Sequence, residues 1–361
     1  MLLVRPAVRT VAVGPAVAAV GAGEAQLEAG DLVEEPAIDA DAHAATVASA
    51  WTRVYPRSDA MSDQLVRVST GGLLVVSAVT TEALRESVRR HAVCGEAAVA
   101  LGRALSAAAL LAEVDVGVVR VTLELGGAGP LGVLRAYAKR TGELCASVAR
   151  VVPFVMASPS ASAGRTSLAA ALGANGALRV EREIDAGART IAHGSLVTGE
   201  VDEDLAAWLN TLDSSRWALG CDVLLDADGA PMRSAGLLVV AGDHAGDEVA
   251  RVAQALQGGA LWRALLAGEA RASSLPFAKG LLAPTSRSVA GEARALRFHC
   301  DCSSERARGA LEFLRADELA AMLDELGSAE VVCHRCSLKH SVARSELEAL
   351  RLPASLRDAN P

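Results

Sequence analysis

Residues 62–242 are predicted to fold as a mixed α+β domain. Pairs of short runs with strand-like alternation, each pair divided by a glycine- or aspartate-rich turn, are interleaved with stretches whose apolar residues return at helical spacing. After Gly242 the strand signals stop and two amphipathic helical stretches follow, within a linker spanning 243–296. From 297 to 345 the texture changes again, to a short module holding four cysteines in two close pairs, and 346–361 reads as a C-terminal tail. Residues 1–61 are Ala-rich, aperiodic and without lysine. They read as an extension outside the fold, either disordered or an over-long gene reading, with Met61 a sensible start.

Leu65–Ser69 and Gly72–Ser77 are the first strand pair, and Thr80 or Thr81 then caps a long helix with Glu82 and Glu86 in its early turns. Ala83, Leu84, Val88 and Ala92, then Leu101, Leu105 and Leu111, mark its apolar face, and Gly95 or Gly102 divides it. Val116–Leu125 alternates cleanly, Gly126–Pro130 turns the chain, and Leu131–Lys139 and Glu143–Arg150 are further strands. Ala157–Gly176 reads as loop. Strands follow at Leu178–Glu183 and Thr190–Leu196, then a helix over Val201–Leu212 whose acidic first turn suits the helix dipole. Cys221–Leu225 and Gly236–Val240 flank Asp226–Gly229, a hairpin turn. In the linker, Asp247–Gln257 and Leu261–Ala270 are helices broken by Gly258 and Gly259, and Ser273–Ala290 is irregular. Their apolar faces (Val249, Val252 and Leu256; Leu261, Trp262 and Leu265) must rest on something.

Of the 361 residues 51% are hydrophobic but only 3% aromatic, so a sizeable core has to be built from Ala, Val and Leu. The formal net charge of −8 argues against a protein that coats nucleic acid, and few aromatics leave little for base stacking. No apolar run reaches the roughly 20 residues of a membrane-spanning helix. Thr10–Gly23 faintly resembles a signal core, but Pro15 interrupts it and an acidic segment follows. Seven cysteines in a chain of this length do not make a secreted disulfide scaffold. A reducing, cytoplasmic setting follows, with no membrane and no nucleic-acid partner expected.

Cys300, Cys302, Cys333 and Cys336 form a C-x-C…C-x-x-C array with 30 residues between the pairs. Two thiol pairs that converge make a tetrahedral sulfur cage suited to one zinc ion per chain. The one-residue spacer also brings two thiols close enough to be oxidised to each other, so the site is either a structural staple or a switch as well. Four sulfurs leave no open position for a catalytic ion. His299, His334 or His340 is the alternative fourth donor. Ser303 or Ser304 caps a helix over about 305–314, Asp317 begins a second, and Glu330–Val332 and Leu338–Val342 flank the second pair as a hairpin. Such a module, about 50 residues long, has too little core to stand without its metal. Four thiolates around one zinc leave two net negative charges, and Arg297, Arg335 and Lys339 are close enough in sequence to offset part of that.

These residues closely resemble the heat-shock protein 33 family of redox-regulated holdase chaperones. The resemblance rests on the gapless match of the four cysteines, on Ser303 and Arg306 after the first pair, on Gly129-Pro130, on Thr198–Leu205 and on Ala235-Gly236. It covers about 62–345. It departs from the family at His334 and near His340, where the family carries aromatics, and at Ser214–Trp217. The resemblance implies an inactive reduced form with zinc on Cys300, Cys302, Cys333 and Cys336. It implies activation by oxidants such as peroxide or hypochlorous acid through disulfides Cys300–Cys302 and Cys333–Cys336. Metal loss, unfolding of module and linker, dimerisation and ATP-independent binding of unfolded proteins would follow.

Other candidates carry less. Cys94 beside His91 is a buried structural thiol rather than a nucleophile–base pair, and Gly126–Gly129 is a turn lacking a phosphate cradle's lysine. Asp202, Glu203 and Asp204 read as a solvated helix start. No enzyme constellation emerges. The rival readings are a zinc module that docks nucleic acid or a transcription partner, and a thiol oxidoreductase.

Overall fold

The computed structural model describes residues 2–5, 63–70, 72–115, 117–150, 165–241, 246–268, 271–272, 292–315, 318–320 and 328–350. They fall into two compact units. The larger takes the described residues from 63 to 301 together with 334–337, and the smaller takes 2–5, 302–333 and 338–350.

In the larger unit a five-stranded antiparallel sheet contains β2 (Gln64–Thr70), β3 (Leu73–Val79), β9 (Arg216–Leu225) and β10 (Pro231–Ala241), in the order β2-β3-β10-β9 with β9 at the edge. The β2–β3 and β9–β10 hairpins are the pairs expected from alternation, with β9 and β10 running several residues longer. The predicted long helix is two, α1 (Thr81–His91) and α2 (Gly95–Leu111). The break falls between Ala92, at a left-handed φ of 51°, and Gly95, which opens α2 with a φ of 59° as expected; Gly102 does not divide the helix. Gly102 lies inside α2, where the close approach of Val223 leaves no room for a side chain: an added Cβ would sit 2.4 Å from it. Helix α2 is buried nearly all round and touches both large sheets, as a helix apolar on every face must.

The second, six-stranded sheet contains β4 (Val118–Gly126), β5 (Val133–Lys139), β6 (Glu143–Val148), β7 (Gly176–Ile184) and β8 (Arg189–Leu196). The turn after β4 packs on α3 (Ala169–Leu172), with Gly129 N–H donating to the Leu172 carbonyl at 2.8 Å. A Cβ on Gly129 would sit 2.4 Å from a backbone oxygen. Helix α4 (Val201–Leu209) follows β8 as expected, but its acidic start is not solvated. Asp202 and Asp204 are buried; Asp202 pairs with Arg165 at 2.8 Å and Asp204 accepts from the amides of Thr198 and Gly199.

The two linker helices form where expected, as α5 (Gly246–Gln257) and α6 (Ala260–Leu266). Their faces rest on the five-stranded sheet: Val249, Val252, Leu256, Leu261 and Leu265 are buried with Val66, Val75, Leu237 and Val239. Helix α2 packs against the same sheet's opposite face, where Gly236 meets Leu110 and Ser106, while Gly220 meets Leu256 of α5. Arg233 donates to the Leu265 carbonyl at 2.9 Å. The whole of the irregular stretch Ser273–Ala290 lies outside the described residues, as does the part of the loop Ala157–Gly176 before Arg165; the described part is not all loop, since it carries α3.

The expectation that strands stop after Gly242 is corrected by two short ones. β11 (Glu292–Ala295) extends the first sheet along β2, and β12 (Arg297–Phe298) runs parallel to β6 at the edge of the second. Neither has an apolar alternation long enough to announce it; backbone pairing at open sheet edges makes them.

The smaller unit has a three-stranded sheet, β1 (Leu2–Arg5), β13 (Ser328–Cys333) and β14 (Lys339–Ala343), with α7 (Ser304–Leu311) and α8 (Arg344–Leu350). Ser303 caps α7 by accepting from the Arg306 amide. Leu2–Arg5, within the segment read as an extension, pairs with β13, and Leu347 of α8, from the segment read as a tail, is buried in the unit's core. Residues 6–62 and 351–361 lie outside the described residues, as does most of the second helix expected from Asp317. Among the described residues, no helix is long and apolar enough to cross a membrane.

Asp63, buried at the head of β2, accepts from the Glu82 and Ala83 amides of α1 at 2.9 and 2.7 Å. Burial outweighs these bonds and pushes its carboxyl up to about 7. A raised acid favours the folded state fully below the unfolded value of 3.8, and that contribution is lost as pH rises through 7. Between pH 5 and 8, Asp63→Asn is therefore expected to gain on the wild type by on the order of 2–4 kcal/mol in denaturant unfolding. Parallel pH profiles would refute this.

Candidate metal centre

Strand β12 leads straight into the first cysteine. Arg297 N–H donates to the Gly142 carbonyl and His299 N–H to that of Leu144, both within 2.9 Å, so Cys300 leaves the sheet edge in a fixed direction. Gly142 (φ +96°) permits this approach, since a Cβ there would meet the Ala295 carbonyl oxygen at 2.1 Å. The spacer of the C-x-C pair is held as well: Asp301 accepts from Lys139 of β5 at 2.6 Å, and Lys139 also reaches Glu143 at 3.0 Å. The Asp301 carboxyl is held below the usual range: burial opposes this, but Lys139 and His299 outweigh it.

The second pair lies on a tight loop between β13 and β14. Cys333 N–H donates to the Leu338 carbonyl at 2.9 Å, and Ser337 takes a left-handed φ of 56°. Residues 334–337 are anchored within the larger unit. Arg335 stacks its guanidinium over the Tyr137 ring, 4.1 Å from the centroid, and its carbonyl accepts from the Cys145 thiol at 3.4 Å. His91, at the end of α1, lies 3.1 Å from the Ala146 carbonyl and 3.2 Å from the Arg335 carbonyl through Nε2, while Ser337 Oγ sits 2.7 Å from Nδ1. Two carbonyls facing Nε2 put the proton there, so Nδ1 accepts from the Ser337 hydroxyl.

The four thiols meet. All four Sγ atoms of Cys300, Cys302, Cys333 and Cys336 lie within 4.8 Å of one another, and among the described residues they form a group that could hold a metal ion. A tetrahedral zinc–thiolate site with bonds near 2.3 Å implies sulfurs about 3.8 Å apart, so the donor set fits zinc in identity, number and spacing. Cys333 and Cys336 are buried, while Cys300 and Cys302 are half-buried. None of the candidate histidines joins this group; His299 clusters instead with Glu143 and Asp301.

The cations expected beside the thiols also have other partners. Arg297 pairs with Glu143, Lys339 with Glu330, and Arg335 engages Tyr137. Arg90, on the last turn of α1, reaches the Cys336 thiol. Burial pulls its pKa down, but Glu86 and the Cys336 sulfur outweigh this and raise it, and the guanidinium also lies 4.7 Å over the Phe298 ring. Arg90, His91, Lys139 and Cys145 were not legible as site residues, because a helix end and two strands far away in sequence bring them in. Cys94, beside the helix break, is half-buried and not the buried thiol expected; burial still pushes its thiol up, which disfavours a nucleophile, and its supposed partner His91 is engaged with the 334–337 loop.

A sequence model of the family described as "Hsp33 protein" matches residues 63–343. A protein named 33 kDa chaperonin from Gloeobacter violaceus is 32% identical over 300 residues, covering 80% of this chain and 95% of its own length. The 33 kDa chaperonin of Bacillus subtilis is 30% identical over 291 residues, covering 78% and 94%. The crystal structure of the 33 kDa chaperonin from Thermotoga maritima superposes with a TM-score of 0.69 at 26% identity, over 83% of this chain and 100% of that one.

His91→Ala would leave the Ser337 hydroxyl and two buried carbonyls without their shared partner, a loss of about 1–3 kcal/mol. Hydrogen exchange of the amides between 333 and 338 should speed up by roughly 5- to 30-fold, the factor that one or two kcal/mol carries. Unchanged exchange there would show that His91 does not hold the loop.

Proposed function

The chain belongs to the Hsp33 family, and from that membership together with its four converging thiols we propose that it is a redox-regulated, ATP-independent chaperone that binds unfolded proteins under oxidative stress. Cys300, Cys302, Cys333 and Cys336 would be the ligands of one zinc ion in the reduced, inactive form. When bound, the ion supplies a cross-link between two cysteine pairs that are 30 residues apart.

Oxidation acts on the sulfurs. Within each pair, two thiolates give up two electrons to peroxide and form one S–S bond, and with two protons the peroxide becomes two waters. The proposed pairs are Cys300–Cys302 and Cys333–Cys336. A disulfide sulfur is no longer a thiolate donor, so the metal site is dismantled. The free energy of such a site, roughly 10–16 kcal/mol in small structural cases, is then lost. Residues 297–345 are the proposed zinc-binding domain and 243–296 the proposed switch linker, attached to a core domain over 62–242. With the array gone, the linker helices α5 and α6 are the elements proposed to come away.

The clustering of the four thiols carries this reading. The burial of α5 and α6 on the five-stranded sheet supports the effector half: their departure would uncover Val66, Val75, Leu237 and Val239, an apolar face of the kind an unfolded client can bind. Dimerisation on oxidation and a cytoplasmic site of action belong to the same proposal.

The test is a titration of the reduced chain with peroxide or hypochlorite, recording metal release and the light scattering of a denaturing client together. One metal equivalent should leave per chain, and suppression of aggregation should rise at least fivefold in step. Equal suppression in both states, or a chain isolated anaerobically without metal, would overturn the proposal. Cys333→Ser should lose the metal and the oxidant dependence together.

A further inference from the structure

Cys145, on β6, is a thiol that the four-cysteine array does not use. The parallel pairing of β12 on β6 sets it beside the first cysteine of that array. Phe298 stands opposite Leu144, and the bond from the His299 N–H to the Leu144 carbonyl carries the register one residue further, to His299 opposite Cys145. Cys300 is the next residue. With strands about 4.8 Å apart and a rise of about 3.3 Å, its Cα comes roughly 6 Å from that of Cys145. A disulfide spans Cα atoms about 4.4–6.8 Å apart. A ladder continued unbent would turn Cys300 to the opposite face. Strand β12 ends at Phe298 instead, and Cys300 and Cys145 line one cavity of about 20 Å³ together with Tyr137, His299 and Arg335. That is room for a water-sized molecule and too little for a side chain to stand between the thiols. All five of these residues belong to the larger unit.

The two sulfurs differ in access. Cys300 is half-buried, so a small oxidant can reach it, whereas Cys145 is only 2% exposed and donates its thiol hydrogen to the Arg335 carbonyl at 3.4 Å. An accessible sulfur that takes the first oxidation, beside a shielded one that closes the bond, is the arrangement of a sensing and a resolving cysteine.

We propose that Cys145 is a resolving partner of Cys300, giving a disulfide between β6 and the exit of β12 in competition with the Cys300–Cys302 pairing. This deepens the redox reading above and rests on it for the oxidation of Cys300. The Cys300 thiolate attacks one peroxide oxygen, the O–O bond breaks, and hydroxide leaves Cys300 as a sulfenic acid. The Cys145 sulfur then attacks the Cys300 sulfur. The S–S bond forms, the S–O bond breaks, and the departing hydroxide takes up the Cys145 proton as water. The first hydroxide takes a proton from solvent, so two electrons leave the sulfurs and the peroxide becomes two waters. The bond pins Cys300 to the sheet edge after the array is dismantled. It also retains β11, which Leu296 alone separates from β12. The oxidised chain then opens from Asp301 onward while β11 stays paired with β2.

The test uses the full chain, oxidised with peroxide, alkylated and cut with trypsin and with a protease that cleaves before aspartate. Cleavage before Asp301 parts Cys300 from Cys302. The expected product is fragment 141–150 joined to fragment 298–300 by a reducible bond, seen by mass spectrometry. In Cys145→Ser the hydroxyl can keep the bond to Arg335. Once oxidised, this variant should exchange its amides at 292–295 at least about fivefold faster than the oxidised wild type, while the two reduced chains exchange alike there. If fragment 298–300 is found joined only to the Cys302 fragment, the redox reading stands and this proposal is overturned. If Cys300 is not oxidised at all, both fall. A linkage of Cys145 to Cys333 or Cys336 alone, or equal exchange in the two oxidised chains, would also overturn it.

Discussion

Seven apolar side chains, Ala307, Leu311, Leu319, Ala329, Val331, Val342 and Leu347, form the buried core of the smaller unit among the described residues. A segment of about 50 residues with so little to bury gains from a cross-link, and among the described residues the convergence of four thiols could hold one. Much of the surrounding architecture serves that convergence. An edge strand aims Cys300, Lys139 holds the spacer between Cys300 and Cys302, and the end of α1 grips the loop that carries Cys336.

The larger unit solves a different problem with the same economy of residue types. Its five-stranded sheet is covered on one face by α2, which is buried almost throughout, and on the other by α5 and α6, which are buried along one stripe only. The first cover is integral, because α2 also packs on the second sheet. The second has the sheet as its main support. An element with a single apolar stripe, polar residues outward and one packing partner is the kind that can open without taking the rest of the domain with it.

The strands and helices of the larger unit were legible because period-2 and period-3.6 patterns survive in a core of Ala, Val and Leu. The four cysteines were legible because close thiol pairs have few other uses. The rest depended on approaches that no local pattern encodes. Glu292–Phe298 alternates too briefly to read as strand, and pairs only because β2 and β6 present open edges. Arg90 and Lys139 look like ordinary surface cations until the fold carries Cys336 and Asp301 to them. Asp202 and Asp204 obey the rule that acids favour a helix start, but their burial is set by Arg165 and by the Thr198–Gly199 amides, which a one-dimensional reading cannot place. The same blindness hid the sheet face beneath α5 and α6: the sequence required a surface under those helices without saying which.

For the proposed switch, the decisive comparison is between two energies. Burying Val249, Val252, Leu256, Leu261 and Leu265 is worth roughly 8–15 kcal/mol at 1.5–3 kcal/mol each, an upper estimate because an unfolded chain already hides part of its surface. A structural zinc–thiolate site is worth roughly 10–16 kcal/mol. The terms are of the same size, so losing one can decide whether the other persists. A cover built from Phe and Trp would bury far more area per side chain and resist release. In the proposed switch, an aromatic content of 3%, with Trp262 the aromatic that α6 packs partly buried on this cluster, would keep the cover within reach of what four sulfurs can hold or let go.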